Sequence, residues 1–209
     1  MNWSRWERLA PLTGVLAVAL WILGAILITS NEPGEDATAN ESLAFLRDEG
    51  PIYGASWAWG LGTLFFIWFL GSLRARLAAA EGPPNRLTAI AFGSGIAAAV
   101  CALGVVVGPL SGAFLDDKTM TAAAAQALDA STDSFLILGS FPLLAMAAAT
   151  AIAAFRYGAL PKWLAWLTVV FAIILAVYPI AWLAILFAFP IWILMTSISL
   201  WRPQLSAPR

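Results

Sequence analysis

The chain has no histidine, one cysteine and few charges. Without histidine, a His-ligated haem, most catalytic zinc sites and a Ser-His-Asp triad are excluded. A single cysteine, Cys101, excludes an intrachain disulfide and any CxxC metal or redox pair. Cys101 reads as a small helix-packing residue, because a free thiol behaves as a buried hydrophobe. A reactive thiol is the alternative, and no base or cation stands beside it in sequence. No basic tract suggests nucleic acid, and there is no acidic tail. The apolar runs carry essentially no ionisable residue at mid-depth, where such groups are costly and usually functional. No catalytic residue, metal or cofactor is therefore expected, and the chain is not expected to be an enzyme.

What the sequence does contain is hydrocarbon. Of 209 residues 61% are hydrophobic and 11% charged, with a net charge of −1. Soluble domains carry about 45–50% apolar and about 25% charged residues. A water-soluble fold could not hide so much apolar surface, so lipid must be the solvent for much of it. The expected fold is all-α: a polytopic membrane helical bundle, one domain over residues 1–209. A bilayer core of about 30 Å takes roughly 20 apolar residues per helix. Such runs lie at 12–29, 52–73, 87–110, 132–155, 160–178 and 180–201. The first is too long for a signal peptide. Its only A-x-A-like site, Ala37-Thr38-Ala39, lies far beyond it, so an uncleaved helix is expected.

Charge placement gives a direction. With six crossings and both ends inside, the inner segments hold Arg5, Arg8, Arg74, Arg76, Arg86, Arg156, Lys162, Arg202 and Arg209, and the outer ones only Arg47 and Lys118. That is the positive-inside asymmetry of short loops in the cytoplasmic membrane. The acids fall outside, among them Glu35, Asp36, Asp116, Asp117, Asp129 and Asp133. The last two runs are nearly continuous from Trp163 to Trp201, which as one helix would span about 58 Å. A tight turn at Tyr178-Pro179 divides them, since proline opposes helix in the residue before it and lacks a donor.

In the first outer loop Thr38 and Glu41 have capping-box spacing. A short helix follows, with Leu43 and Leu46 on one face, and Gly50-Pro51 is expected to stop it. It lies over the outer face or forms a lid over a cavity. The run Ala122–Ala125 is expected to extend the fourth span outward. Gly82-Pro83-Pro84-Asn85 breaks the chain before the third span, and its neighbouring arginines set topology or bind anionic lipid head groups. Small residues recur every fourth position at Gly54, Ala58 and Gly62, and again at Gly104, Gly108 and Gly112. Such ridges let helices approach closely in lipid, and contacts within the chain are expected. The aromatics Trp57, Trp59, Phe65, Phe66, Trp68 and Phe69 face lipid or pack, or else form a cage for a ligand. Pro142 and Pro190 are expected to kink their helices, as is Pro109 near its span's outer end.

Asp133, with Asp129 one turn earlier, is the candidate polar site. Thr132-Asp133-Ser134 resembles a helix start, where an acid favours the dipole. An outward-facing acidic vestibule for a cation or a substrate group is the alternative.

With these elements placed, the chain resembles a group of uncharacterised multi-helix membrane proteins of actinobacteria. The resemblance rests on Trp6-Glu7-Arg8-Leu9-Ala10-Pro11-Leu12-Thr13-Gly14, Ser42-Leu43-Ala44-Phe45-Leu46 and Gly71-Ser72-Leu73-Arg74. It also rests on Gly158-Ala159-Leu160-Pro161-Lys162-Trp163-Leu164-Ala165-Trp166-Leu167 and Phe189-Pro190-Ile191-Trp192-Ile193-Leu194. It implies the same architecture and supplies no activity. The expected partners are membrane lipids or another membrane protein, with no nucleic acid. The expected function is non-enzymatic binding of a lipid, a hydrophobic molecule or a membrane protein, and a small transporter with an acidic vestibule is the alternative.

Overall fold

A computed structural model describes residues 9–30, 38–115, 121–177 and 180–205, and no strand occurs among them. A 3-10 turn, Ala10–Leu12, leads into α1, Thr13–Thr29. Next come α2 (Ala39–Leu46) and α3 (Glu49–Glu81). Then follow α4 (Arg86–Gly104), α5 (Val107–Phe114) and α6 (Ala122–Tyr157). After α7 (Lys162–Ala176), a short α8 (Ala181–Leu183) and a π-helical turn (Ala184–Ala188) lead into α9 (Phe189–Leu205).

Among the described residues, five helical stretches are long and apolar enough to cross a bilayer: Ala10–Thr29, Gly50–Glu81, Arg86–Phe114, Ala122–Tyr157 and Ala181–Trp201. Helix α7 is apolar too, but its 15 residues reach only about 22 Å at 1.5 Å per residue. The long helices outrun their hydrophobic stretches because good helix formers flank them, such as the Arg-Ala-Arg-Leu-Ala-Ala-Ala-Glu end of α3. The turn expected at Tyr178-Pro179 lies outside the described residues.

Helix ends follow local chemistry. Helices α3 and α6 stop at Gly82 (φ 67°) and Gly158 (φ 68°), which adopt the positive φ a terminating residue needs. The capping box forms at α2: the Thr38 N–H donates to Glu41 at 2.7 Å, and the Thr38 side chain accepts from the Glu41 main chain. Two expectations are corrected here. Gly50-Pro51 does not stop α2 but lies in the first turn of α3, where a proline costs no hydrogen bond. Thr132-Asp133-Ser134 is not a helix start. Helix α6 begins at Ala122, where the Thr121 hydroxyl accepts from the Ala124 N–H at 3.2 Å.

The main core runs between α1, α3, α4, α6, α7 and α9 and is rich in aromatic rings. Phe171 stacks on Phe189 at 5.7 Å, and Phe189 meets Phe66 edge to face at 5.4 Å. Trp192 is fully buried, and its indole N–H donates to the Thr168 hydroxyl at 2.8 Å. Thr168 in turn donates to the Leu164 carbonyl, so this buried pair is satisfied without water. A second cluster closes one end, where Phe45 and Leu46 of α2 pack with Ile52 and Ala125. The circumference is equally apolar. Ile26 is 58% exposed, Trp68 64%, Phe141 65% and Ile173 60%. Large apolar groups face outward from several helices, as is compatible with an integral membrane protein.

Candidate functional site

Between α1, α3, α4, α6 and the segment from the π turn to Pro190 lies an apolar cavity of about 120 Å³. Large rings and missing side chains make it together. Trp21, Trp59, Phe66 and Phe189 form walls, and Ala25, Ala98, Ala102 and Gly139 leave the space between them. No charged residue lines it. Ile22 and Leu186, 52% and 45% exposed, stand at its rim, so it communicates with the bundle's outer surface.

The polar atoms nearest the cavity are already partnered. The Trp21 indole N–H donates to the Thr63 hydroxyl at 3.3 Å, and Thr63 donates to the Trp59 carbonyl at 3.0 Å. The Trp59 indole N–H donates to the Ala102 carbonyl at 2.7 Å. That carbonyl lies in the last turn of α4, just before the helix breaks at Val105-Val106. Pro109, in the first turn of α5, has no N–H to offer the Val105 carbonyl one turn back. The Thr132 hydroxyl of α6 donates to that carbonyl instead, at 3.1 Å.

The wall opposite is irregular for a related reason. Pro190 cannot donate to its own preceding turn, and the helix widens ahead of it. Phe189 N–H reaches Ala184 O, five residues back, and the π turn brings Ile185 and Leu186 to the cavity. Cys101 also lines the cavity, and its Cβ stands 3.3 Å from where a Cβ on Gly139 would be. What the arrangement can hold is a small apolar group, since its lining is almost wholly apolar and its two indole N–H groups are already partnered. The cavity is somewhat smaller than the roughly 150 Å³ of enclosed apolar cavity that takes one benzene ring.

The sequence-expected sites fall elsewhere. Asp133 is exposed on α6, and Asp129 belongs to the same helix with its side chain outside the described residues. Asp116 and Asp117 lie outside them too. The ridge Gly54, Ala58, Gly62 faces α1: a Cβ on Gly62 would stand 2.8 Å from the Trp21 ring, and one on Gly54 3.5 Å from Leu27. Ala58 is buried beside them. Gly104 leaves room for the Phe135 ring, Gly108 for the main chain at Leu128, and Gly112 for Leu46 at 3.1 Å. The six aromatics of α3 do not form one cage, and only Trp59 and Phe66 of them line the cavity. Trp57 is 71% exposed and Trp68 64%, whereas Phe66 and Phe69 are buried.

Sequence reasoning did not single out Val18, Trp21, Phe135, Gly139 or Phe189. The one available signal was the alternation of very large and very small residues among otherwise uniform apolar runs. No family model, curated protein or solved structure matches the chain.

Proposed function

We propose that this chain is a non-enzymatic, multi-pass protein of the cytoplasmic membrane that holds a hydrocarbon group, an acyl tail or a small hydrophobic molecule, in the cavity beside Trp21 and Trp59. One observation carries the reading: the cavity is apolar, and the indole N–H groups around it are already satisfied. A charged ligand would lose its hydration there and meet no opposite charge in the lining. Hydrocarbon loses nothing, and its route in is from the lipid side, past Ile22 and Leu186. The proposal includes six crossings with both ends inside, α7 being the short fifth one. Arg74, Arg76, Arg86, Arg156 and Lys162 then share the cytoplasmic end, and the bond from Arg76 Nε to the Ala159 carbonyl at 2.9 Å fits that arrangement. Membership of the actinobacterial group belongs to the same proposal and adds architecture only.

The test uses tryptophan fluorescence of the protein in detergent micelles with 1-bromooctane as the probe. Saturable quenching is expected, and Ala25→Phe, which fills the cavity, should remove the saturable part. Quenching that rises without saturation, equally in both proteins, would refute the site. Reporter fusions at Asn40 and Gly82 should report opposite sides of the membrane, Gly82 inside.

A further inference from the structure

A second depression, lined by other residues than the cavity, lies where α3 meets α5. It is a trough of about 410 Å³ along one face of α3, floored by Gly60 and walled by Trp57, Leu64, Leu110 and Phe114. A Cβ placed on Gly60 would meet nothing within 4 Å. Trp57 and Phe114, 71% and 72% exposed, stand up on either side. At the end nearest the start of α3, the Tyr53 ring meets Phe114 edge to face at 5.9 Å.

We infer that this trough is a binding site for one chain of an ester-linked glycerolipid, with the Tyr53 hydroxyl donating to its ester carbonyl. The occupant follows from position and shape. From Tyr53 to Leu64 the trough runs about 16 Å along the helix axis at 1.5 Å per residue, which is half of a hydrocarbon core of about 30 Å. It thus has the length of a chain in one leaflet, and begins where the helix emerges at head-group depth. Tyrosine favours that depth, with its ring in hydrocarbon and its hydroxyl in the polar layer. Ester carbonyls lie at the same level and accept hydrogen bonds. No hydrogen bond engages the Tyr53 hydroxyl among the described residues, so its donor is available. A helix of a second copy, about 10–12 Å across, would collide with the projecting Trp57 and Phe114 before reaching Gly60. A single alkyl chain passes between them. The site requires only that α3 stands in a bilayer, and does not depend on what fills the cavity beside Trp21.

Native mass spectrometry of the detergent-solubilised chain, titrated with dioleoyl phosphatidylglycerol or its dialkyl-ether analogue, tests the inference. The wild type should bind the diester lipid at least tenfold more tightly than the diether. Gly60→Leu, whose Cβ meets nothing within 4 Å and whose side chain enters the trough, should lose the tight diester binding. Tyr53→Phe keeps the ring against Phe114 and should bring the two lipids to equal affinity; it decides alone if Gly60→Leu does not fold. Ala25→Phe, in the separate cavity, should change neither. Retained tight binding in Gly60→Leu overturns the inference, as does an undiminished ester preference in Tyr53→Phe. So does a dimer in the wild type that Gly60→Leu converts to monomer, which would assign this face to a second copy.

Discussion

The indole N–H of Trp59 donates to the main-chain carbonyl of Ala102 at 2.7 Å, so that α3 grips α4 in its last turn before the break at Val105-Val106. A few residues on, Thr132 of α6 makes the corresponding bond to the Val105 carbonyl. Both donors come from neighbouring helices, and together they hold an irregular stretch of main chain that borders the cavity.

Removing either donor should loosen that stretch. Interhelical hydrogen bonds in membranes contribute about 0.6 kcal/mol on average and up to about 1.7 kcal/mol. Trp59→Phe, losing the shorter bond, should cost about 1 kcal/mol, and Thr132→Val about 0.6 kcal/mol. Unfolding in mixed micelles with increasing dodecyl sulfate measures both. If neither variant is less stable than wild type, the two bonds do not support the break.

Two glycines two residues apart in α3, and so on opposite sides of the helix, should behave oppositely. A Cβ on Gly62 would stand 2.8 Å and 3.0 Å from Trp21 ring atoms and 3.1 Å from the Ala17 carbonyl. Helix α1 must then move, and Gly62→Ala should cost about 1–3 kcal/mol, the usual penalty of overpacking. Gly60 faces open space, so Gly60→Ala should be neutral, or stabilise by up to about 1 kcal/mol through helix propensity. The same unfolding assay compares them, and equal losses would show that the packing of α1 on α3 is not what Gly62 permits.

Hydropathy located the helices well, because the apolar runs and the chain breakers that separate them are local features. The run 12–29 became α1 (Thr13–Thr29), and the Thr38–Glu41 spacing became a formed capping box. Pairing was much less legible. A helix that is apolar all round gives no signal of which face is buried, so nothing in the sequence rotated Trp59 toward Ala102 and Trp57 to the outside of the bundle. Only the small residues carried directional information, since a glycine such as Gly62 marks the side on which another helix comes close. Proline was ambiguous for a physical reason. It breaks a helix from within yet is tolerated in a first turn, and Pro51, Pro109 and Pro190 each resolved through neighbours that sequence spacing does not reveal.

The acids of α6 offer a check on where function resides. Asp133 is exposed on α6, about three turns in from its start at Ala122. Surface changes away from caps and buried networks usually stay within about ±0.5 kcal/mol. Asp133→Asn should therefore leave stability unchanged within that range and 1-bromooctane quenching unaltered. A liposome flux assay gives the opposing outcome its chance: a cation flux present in wild type and abolished by Asp133→Asn would replace the hydrocarbon reading with an acidic vestibule.

The acid sensitivity of the fold should centre on Glu81, which ends α3 beyond the hydrophobic run 52–73 and caps the start of α4. Its carboxylate accepts from Leu87 N and Thr88 N at 2.8 Å each, and from the Thr88 hydroxyl at 2.7 Å. Desolvation pushes this carboxyl up, but the hydrogen bonds from Leu87, Thr88 and Arg86 together outweigh it and hold the group below the ordinary 4.5. A folded value below the unfolded one means the cap's contribution is complete above the unfolded value and drains away as pH falls through the folded one. Glu41 is held low in the same way, by the Thr38 N–H and then the Thr38 hydroxyl, and contributes with the same sign. The melting temperature in detergent should stay level from about pH 8 to pH 6 and decline below the ordinary carboxylate range. Glu81→Gln should start lower at neutral pH and decline less steeply in acid, the remaining slope including Glu41's share. An acid limb of wild-type steepness in Glu81→Gln would mean that the α3–α4 turn is not where protons destabilise this bundle.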